Sequence, residues 1–151
     1  MKVIAKNKKA FFDYEVLDTI EAGIVLTGDE VKSLRAGKVS MAGSFATVHG
    51  GELFMINCNI TPYTHAYEKK EDTSKRSRKL LLHRKELDRI IGDISKKGIT
   101  IVPLKLYFKK GKVKVELGIC KHKKARSKKR ELKERDIKRE TARELKGKYK
   151  Y

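Results

Sequence analysis

The chain has no tryptophan, only two prolines and only two cysteines in its 151 residues. Cys58 and Cys120 are too few and too far apart for a zinc knuckle or a disulfide framework. Both lie in apolar runs, so we expect buried free thiols, which fits a reducing cytoplasm. The four histidines are scattered without the short spacings of a metal site, and we therefore expect neither a bound metal nor another cofactor.

Sequence motifs of the common enzyme classes are missing as well. There is no Gly-x-Ser-x-Gly elbow, no phosphate-binding loop and no Gly-x-Gly-x-x-Gly fingerprint. The longest apolar runs are far shorter than a membrane span, and Lys6, Lys8 and Lys9 interrupt any signal-peptide core. We therefore expect a cytoplasmic protein that is not an enzyme and has no membrane partner.

What the sequence has in excess is positive charge, with a formal net charge of +19. Residues 1–65 carry seven basic and seven acidic side chains, whereas residues 66–117 carry 16 and 7 and residues 118–151 carry 15 and 5. A strongly basic chain favours a polyanionic partner, nucleic acid first and an acidic membrane surface second. A neutral first part followed by a basic one indicates a scaffold with one charged working side.

Residues 27–38 predict a short helix. Thr27 and Glu30 have the spacing of a capping box, and Gly37 can end the helix in a left-handed conformation. Val31 and Leu34 share one face and can enter a core, while the positions expected to face outward are Lys32, Ser33 and Arg35. The simpler interpretation is an amphipathic helix that closes one end of a β-barrel, and a polar face that contacts RNA is compatible with it.

Short strands joined by tight turns dominate the rest of the chain. Alternating apolar and polar residues, or apolar runs between turn residues, predict strands at 12–18, 24–26, 44–48, 53–57, 79–82, 99–108 and 112–119. We expect turns at 21–23, 50–52 and 109–111, and a second helix at 83–97. The fold class is therefore mainly β with flanking helices, and a small closed antiparallel barrel fits best because closure removes exposed strand edges.

Two basic segments have no apolar pattern. Residues 1–10 predict either a binding arm or a frayed terminus, and residues 65–78 predict a long basic loop. Tyr63 lies just before this loop, where its ring could stack on an unpaired base, although a tyrosine in a turn or core is equally compatible. This pattern favours RNA over DNA, since no helix resembles a major-groove reader.

The last segment, 121–151, is predicted to be separate from a folded domain at 1–120. Residues 121–130 contain no apolar residue larger than alanine, so they cannot join a core. From Glu131 onward, charge pairs at i,i+4 spacing predict a helix that is partial alone and becomes ordered on a polyanionic surface. An unstructured solubilising tail is the alternative.

Four stretches of this sequence resemble the SmpB family of SsrA-binding proteins: residues 21–38, 60–63, 78–83 and 98–107. The resemblance covers nearly the whole chain in order. It implies an OB-like barrel that grips the tRNA-like domain of transfer-messenger RNA (tmRNA), in a protein that is expected to be monomeric. It also implies that the tail enters the decoding centre and empty mRNA channel of a stalled ribosome as a helix, against 16S rRNA.

The resemblance also implies the residues that contact RNA. On the barrel these are Asn7, Lys8, Glu30, Lys32, Arg35, Lys38, Tyr63, Arg76, Arg78 and Lys79. The cations would contact phosphate, and Glu30 would accept hydrogen bonds from base or ribose groups. In the tail the residues that would contact rRNA are Lys123, Lys124, Lys128, Lys129 and Arg130.

Three positions depart from the usual pattern of the family. Asp29 replaces a threonine or serine beside Glu30, Lys123 and Lys124 follow His122 instead of a glycine, and Ser127-Lys128-Lys129 stands where Asp-Lys-Arg is usual. The tail keeps its charge pattern with one acid lost, so the resemblance still implies electrostatic docking on rRNA.

Two other functions are considered for a small basic barrel with a tail. A structural ribosomal protein that binds rRNA is the main alternative, and it should stay with its subunit through a high-salt wash, whereas an adaptor should be substoichiometric and come off. A nucleic-acid-modifying enzyme is disfavoured by the missing motifs.

Overall fold

The computed structural model describes residues 2–62 and 74–123. Within these ranges the chain forms nine strands and three helices, some of them very short. The elements are β1 (Lys2–Lys6), α1 (Lys8–Asp13), β2 (Tyr14–Ile24), α2 (Gly28–Arg35), β3 (Val39–Ser40), β4 (Phe45–His49), β5 (Glu52–Ile56), β6 (Asn59–Ile60), β7 (Arg78–Leu81), α3 (Arg84–Ile94), β8 (Ile99–Lys109) and β9 (Lys112–His122).

The main sheet closes on itself. Its strand order is β1-β8-β4-β5-β7-β2-β9, and an additional pairing joins β8 to β9, so that six strands form a ring with β1 added at its side. The strand pairs in this sheet are antiparallel. This arrangement confirms the predicted closed antiparallel barrel. Closure satisfies the backbone groups that an open sheet would leave at its edges.

Two tight hairpins are formed by local turn chemistry. Lys110 and Gly111 connect β8 to β9, and Gly50 and Gly51 connect β4 to β5. All four residues have positive φ, as a two-residue type I′ turn requires. Both predicted hairpins are therefore confirmed, as is the predicted second helix, which is observed as α3.

Alternating side chains from the strands fill the barrel. Val113, Val115 and Leu117 of β9 point inward, and α3 contributes the fully buried Ile90. Cys58 and Cys120 are buried free thiols, as predicted, and burial raises the pKa of each to about 11. Neither thiol is therefore a reactive thiolate at neutral pH.

The N-terminal segment differs from the prediction. Residues 2–6 form β1 on the edge of β8, and residues 8–13 form α1, instead of an arm or frayed end. The predicted turn at 21–23 is wrong, because β2 continues through it. Backbone pairing with β9 runs from Tyr14 to Gly23, and Ala22 faces the core, so the small residues here permit close packing rather than a reversal.

Strand β9 continues two residues past the predicted start of the tail. The ring of His122 lies 4.4 Å from the ring of Tyr14, between centroids. The backbone N–H of Lys123 donates to the carbonyl of Asp13 at 3.0 Å. Residues 121–123 are thus attached to the barrel, while the helix predicted for the rest of the tail lies outside the described residues.

Candidate RNA interface

Helix α2 is held by the capping box that its sequence predicts. The Thr27 hydroxyl accepts from the backbone N–H of Glu30 at 3.2 Å, and the Glu30 carboxylate accepts from the backbone N–H of Thr27 at 2.9 Å. The chain leaves the helix at Gly37, whose φ of 71° is left-handed. Leu34 anchors the helix in the core. The other side of α2 is thereby held at the surface.

We expect Thr27→Ala to lower the free energy of unfolding by about 1 kcal/mol, because the N–H of Glu30 loses its acceptor. Urea unfolding followed by circular dichroism measures the change. Thr27→Ser keeps the hydroxyl and is the matched control, expected to stay close to the unaltered chain. An equal loss in both variants would assign the effect to the threonine methyl group and not to the cap.

The Glu30 carboxylate also joins α2 to the strand that follows the basic loop. Arg78 Nε donates to Glu30 Oε2 at 2.5 Å, and Arg76 Nε lies 3.1 Å from Oε1. A second hydrogen bond runs from Arg76 Nη2 to Oε1. Glu30 is 8% exposed and Arg78 is 0% exposed, so this is an ion-pair network within the fold.

Burial and hydrogen bonding shift the pKa of Glu30 in opposite directions. Burial disfavours the charged form, but hydrogen bonds from Arg76, from the Thr27 N–H and from Arg78 outweigh it and hold the pKa below its usual value. A carboxyl whose pKa is lowered by folding stabilises the fold fully above the unfolded pKa, about 4.3. That stabilisation is lost as pH falls through the folded-state pKa.

We therefore expect Glu30→Gln to lower the Tm strongly at pH 7 and progressively less as the pH is lowered below about 4, where the unaltered chain also loses the carboxylate. Calorimetry of both chains between pH 7 and pH 3 measures the difference. Glu52→Gln is the matched control, since Glu52 makes only a half-exposed pair with Lys79. A difference in Tm that stays constant with pH would show that Glu30 is not charged in the fold.

Three of the residues predicted to contact RNA are buried in the structure. Asn7 is 3% exposed and caps α1, because its side chain accepts from Ala10 N and donates to the Pro103 carbonyl at 3.0 Å. Arg78 and Glu30 are buried in their network, so all three residues bond within the fold and present little surface in this structure. Ser33, predicted to face outward, is 1% exposed, and its hydroxyl finds no partner among the described residues.

The remaining predicted cations of the barrel lie nearer the surface. Lys8, Lys32, Arg35 and Lys38 are exposed. Lys79 is partly exposed and pairs with Glu52 of the neighbouring strand at 2.9 Å. The guanidinium of Arg76 donates to Glu30 and to backbone carbonyls. Fewer of its N–H groups are therefore available to RNA than the sequence alone indicates. Lys123 donates from Nζ to the Phe11 carbonyl at 3.1 Å.

The predicted RNA-contacting residues that lie outside the described residues are Tyr63, Lys124, Lys128, Lys129 and Arg130.

We name the group Lys32, Arg35 and Lys38 the α2 basic face. Lys32 and Arg35 are three positions apart on α2 and therefore lie on one side of the helix, and Lys38 follows in the turn after the helix. A groove of about 630 Å³ opens beside Arg35, between β1 and the end of α2, and its walls include Val3 and Phe108. Cations beside an apolar groove suit a nucleic-acid backbone with an accessible base.

The described residues contain neither a metal-binding cluster nor a helix that could span a membrane. Across residues 2–62 and 74–123, no cluster of histidine, cysteine, aspartate or glutamate is arranged to hold a metal ion. In the same part of the chain, no helix has both the length and the apolar character needed to cross a bilayer.

Comparison with known proteins places this geometry in a family. The sequence profile of the family described as SmpB protein matches residues 4–147. The SsrA-binding protein of Sulfurihydrogenibium sp. (strain YO3AOP1) is 50% identical over 149 residues, which cover 99% of this chain and 97% of that protein. The SsrA-binding protein of Acetivibrio thermocellus is 52% identical over 145 residues, covering 96% and 94%.

A solved structure agrees with the fold. A chain from the structure described as "tmRNA-SmpB: a journey to the center of the bacterial ribosome" is 51% identical and superposes with a TM-score of 0.68, covering 83% of this chain and 87% of that one. Because the family profile spans most of the chain and the relatives match it nearly end to end, this chain belongs to the SmpB family.

Proposed function

We propose that the chain is an RNA-binding adaptor of trans-translation, which binds the tRNA-like domain of tmRNA and delivers it to stalled ribosomes. The observation that carries this proposal is the match of residues 4–147, which includes both the barrel and most of the basic tail. The relatives are named for binding SsrA, and the solved relative is described with tmRNA and the bacterial ribosome.

In this proposal the barrel binds tmRNA. The α2 basic face has two exposed cations on a helix whose position is fixed by its cap and by Leu34, and a third in the turn after that helix. Phosphate neutralisation by such residues releases counterions, so binding weakens as salt rises. Lys8, Arg76 and Lys79 add charge, and Tyr63 is proposed to stack on a base.

The tail supplies the contact with the ribosome. Residues 118–151 carry 15 basic and 5 acidic side chains, a composition suited to a cavity walled by rRNA phosphate. We assign Lys123, Lys124, Lys128, Lys129 and Arg130 to this contact. The chain is proposed to be cytoplasmic and monomeric and to act by binding alone, without catalysis.

Binding of the full chain to the tRNA-like domain of tmRNA, transcribed in vitro, tests the proposal. We expect tight binding that weakens linearly in a plot of log Kd against log salt, and much weaker binding to an RNA hairpin of equal length. Equal affinity for both RNAs at every salt concentration would leave only non-specific binding and would overturn the proposed role.

Sedimentation separates this role from that of a structural ribosomal protein. An adaptor is expected to be substoichiometric on ribosomes from the native host and to leave them in a high-salt wash, because its contacts are mainly electrostatic. One copy per subunit retained through that wash would instead support a structural ribosomal protein.

A further inference from the structure

Arg78 is a cation that is completely buried and bonded to several parts of the chain at once. Its Nε donates to Glu30 of α2, and its Nη1 donates to the carbonyl of Cys58 at 2.7 Å, just before β6. The same side chain donates to the carbonyl of Ser74 at 3.0 Å and to that of Arg76 at 3.2 Å. A planar guanidinium with five N–H groups can donate all of these hydrogen bonds at once, and a lysine ammonium cannot.

These contacts hold together two places in the chain, the end of β6 at Ile60 and the stretch from Ser74 that precedes β7. Ile60 N donates to the Ser74 carbonyl at 2.9 Å, and Thr61 N donates to the Lys38 carbonyl at 3.0 Å. Arg78 also bonds to Ser74, so one buried side chain braces the junction between Ile60 and Ser74. Lys38 is a member of the α2 basic face, which is thereby tied to the same junction.

We propose that Arg78 is a positioning residue for RNA binding, which fixes the α2 basic face and the junction between Ile60 and Ser74 relative to each other. The proposal rests on the proposed function. Arg78 does not itself touch phosphate, since its side chain is fully enclosed. Its charge is compensated by Glu30, which also caps α2, so one carboxylate connects the helix start, Arg76 and Arg78.

The salt dependence of binding distinguishes positioning from direct contact. A cation that contacts phosphate contributes about one unit to the slope of log Kd against log salt, and its removal lowers that slope. Loss of a residue that only positions other cations weakens binding through geometry and leaves the number of contacted phosphates nearly unchanged. Arg78→Lys is informative because it keeps the charge and removes the fork of donors.

The experiment compares Arg78→Lys, Arg84→Lys and Arg35→Ala in the full chain, with the in-vitro transcribed tRNA-like domain of tmRNA, at 10 °C and several salt concentrations. Arg84 is the matched control, because its side chain is 84% exposed and pairs with Asp88 within α3. We expect Arg78→Lys to weaken binding about tenfold with an unchanged slope. Arg84→Lys should bind as the unaltered chain does, and Arg35→Ala should lower the slope by about one.

Amide hydrogen exchange of the free chains supplies a second readout. We expect Arg78→Lys to speed exchange of the Ile60 and Thr61 amides, which donate to the carbonyls of Ser74 and Lys38, while amides of the β8–β9 hairpin keep their protection. Should Arg78→Lys fail to fold by circular dichroism, Glu30→Gln removes the same ion pair without changing side-chain size and is expected to show the same pattern.

Unchanged affinity in a folded variant would limit Arg78 to a role in stability and overturn the proposal. A slope lowered by about one, with normal exchange at Ile60 and Thr61, would also overturn it, in favour of direct phosphate contact. If the unaltered chain itself did not bind the tRNA-like domain, the proposed function would fail. Arg78 would then have no role in binding that RNA, and the exchange data would still show whether it holds Ile60 and Thr61 in place.

Discussion

A chain that ends after Lys123 is expected to bind the tRNA-like domain of tmRNA about as tightly as the full chain, yet to support no tagging on stalled ribosomes. The barrel elements and the α2 basic face lie in residues 2–123, so this deletion leaves every described element complete. It removes all but Lys123 of the tail residues to which we assign the ribosome contact. The measurements are RNA binding in solution and tag addition in a translation system programmed with an mRNA that lacks a stop codon.

The position of the cut is chosen from the structure. A chain that ends after Cys120 would lose the contact between His122 and Tyr14 and the hydrogen bond from Lys123 to Asp13. We expect this shorter chain to unfold at a lower temperature, so it serves as a control for damage to the barrel. Tagging by the chain that ends at Lys123 would contradict the assignment, as would loss of tmRNA binding from a chain whose Tm is unchanged.

Replacement of the whole α2 basic face by alanine is expected to weaken tmRNA binding on the order of a hundredfold at moderate salt, because up to three phosphate contacts are lost. The slope of log Kd against log salt should fall by about two to three. Filter binding or fluorescence anisotropy across a salt series measures both quantities. Stability should change little, since the three side chains are exposed.

The matched control replaces Lys85, Lys96 and Lys97 by alanine. These side chains are also exposed and lie on α3 or in the turn after it, so the net charge changes by the same amount away from α2. We expect a much smaller loss of affinity, through the general field of the protein. Equal losses in the two triple variants would show that net charge, and not the α2 basic face, drives binding.

Features set by neighbouring residues could be predicted from the sequence. The capping box depends on Thr27 and Glu30, three positions apart, and each two-residue hairpin depends on glycine at its turn. The strand alternation around these turns then predicted which side chains fill the barrel. Closure of the barrel followed from the number of hairpins and the need to cover strand edges.

The burial of Arg78 and Asn7 could not be predicted in this way. Arg78 finds Glu30 48 positions earlier in the chain, and Asn7 finds Pro103 96 positions later. A charged or polar residue without a known partner is assigned to the surface, because burial of an unpaired polar group is costly. One signal was present, since Arg78 and Leu80 alternate with Lys79 in a strand whose Leu80 faces the core. The RNA contacts themselves stay predictions.

Strand β9 joins two regions that are proposed to bind different RNAs. Its first residue follows Gly111, which lines the groove beside the α2 basic face, and its last residue is His122, where the tail departs. Eleven paired residues at about 3.3 Å each separate the two by roughly 33 Å. The length of β9 therefore sets the distance between the groove beside the α2 basic face and the start of the tail. An insertion of two residues in β9, matched in both of its partners β2 and β8, would move the start of the tail by about 7 Å away from the α2 basic face.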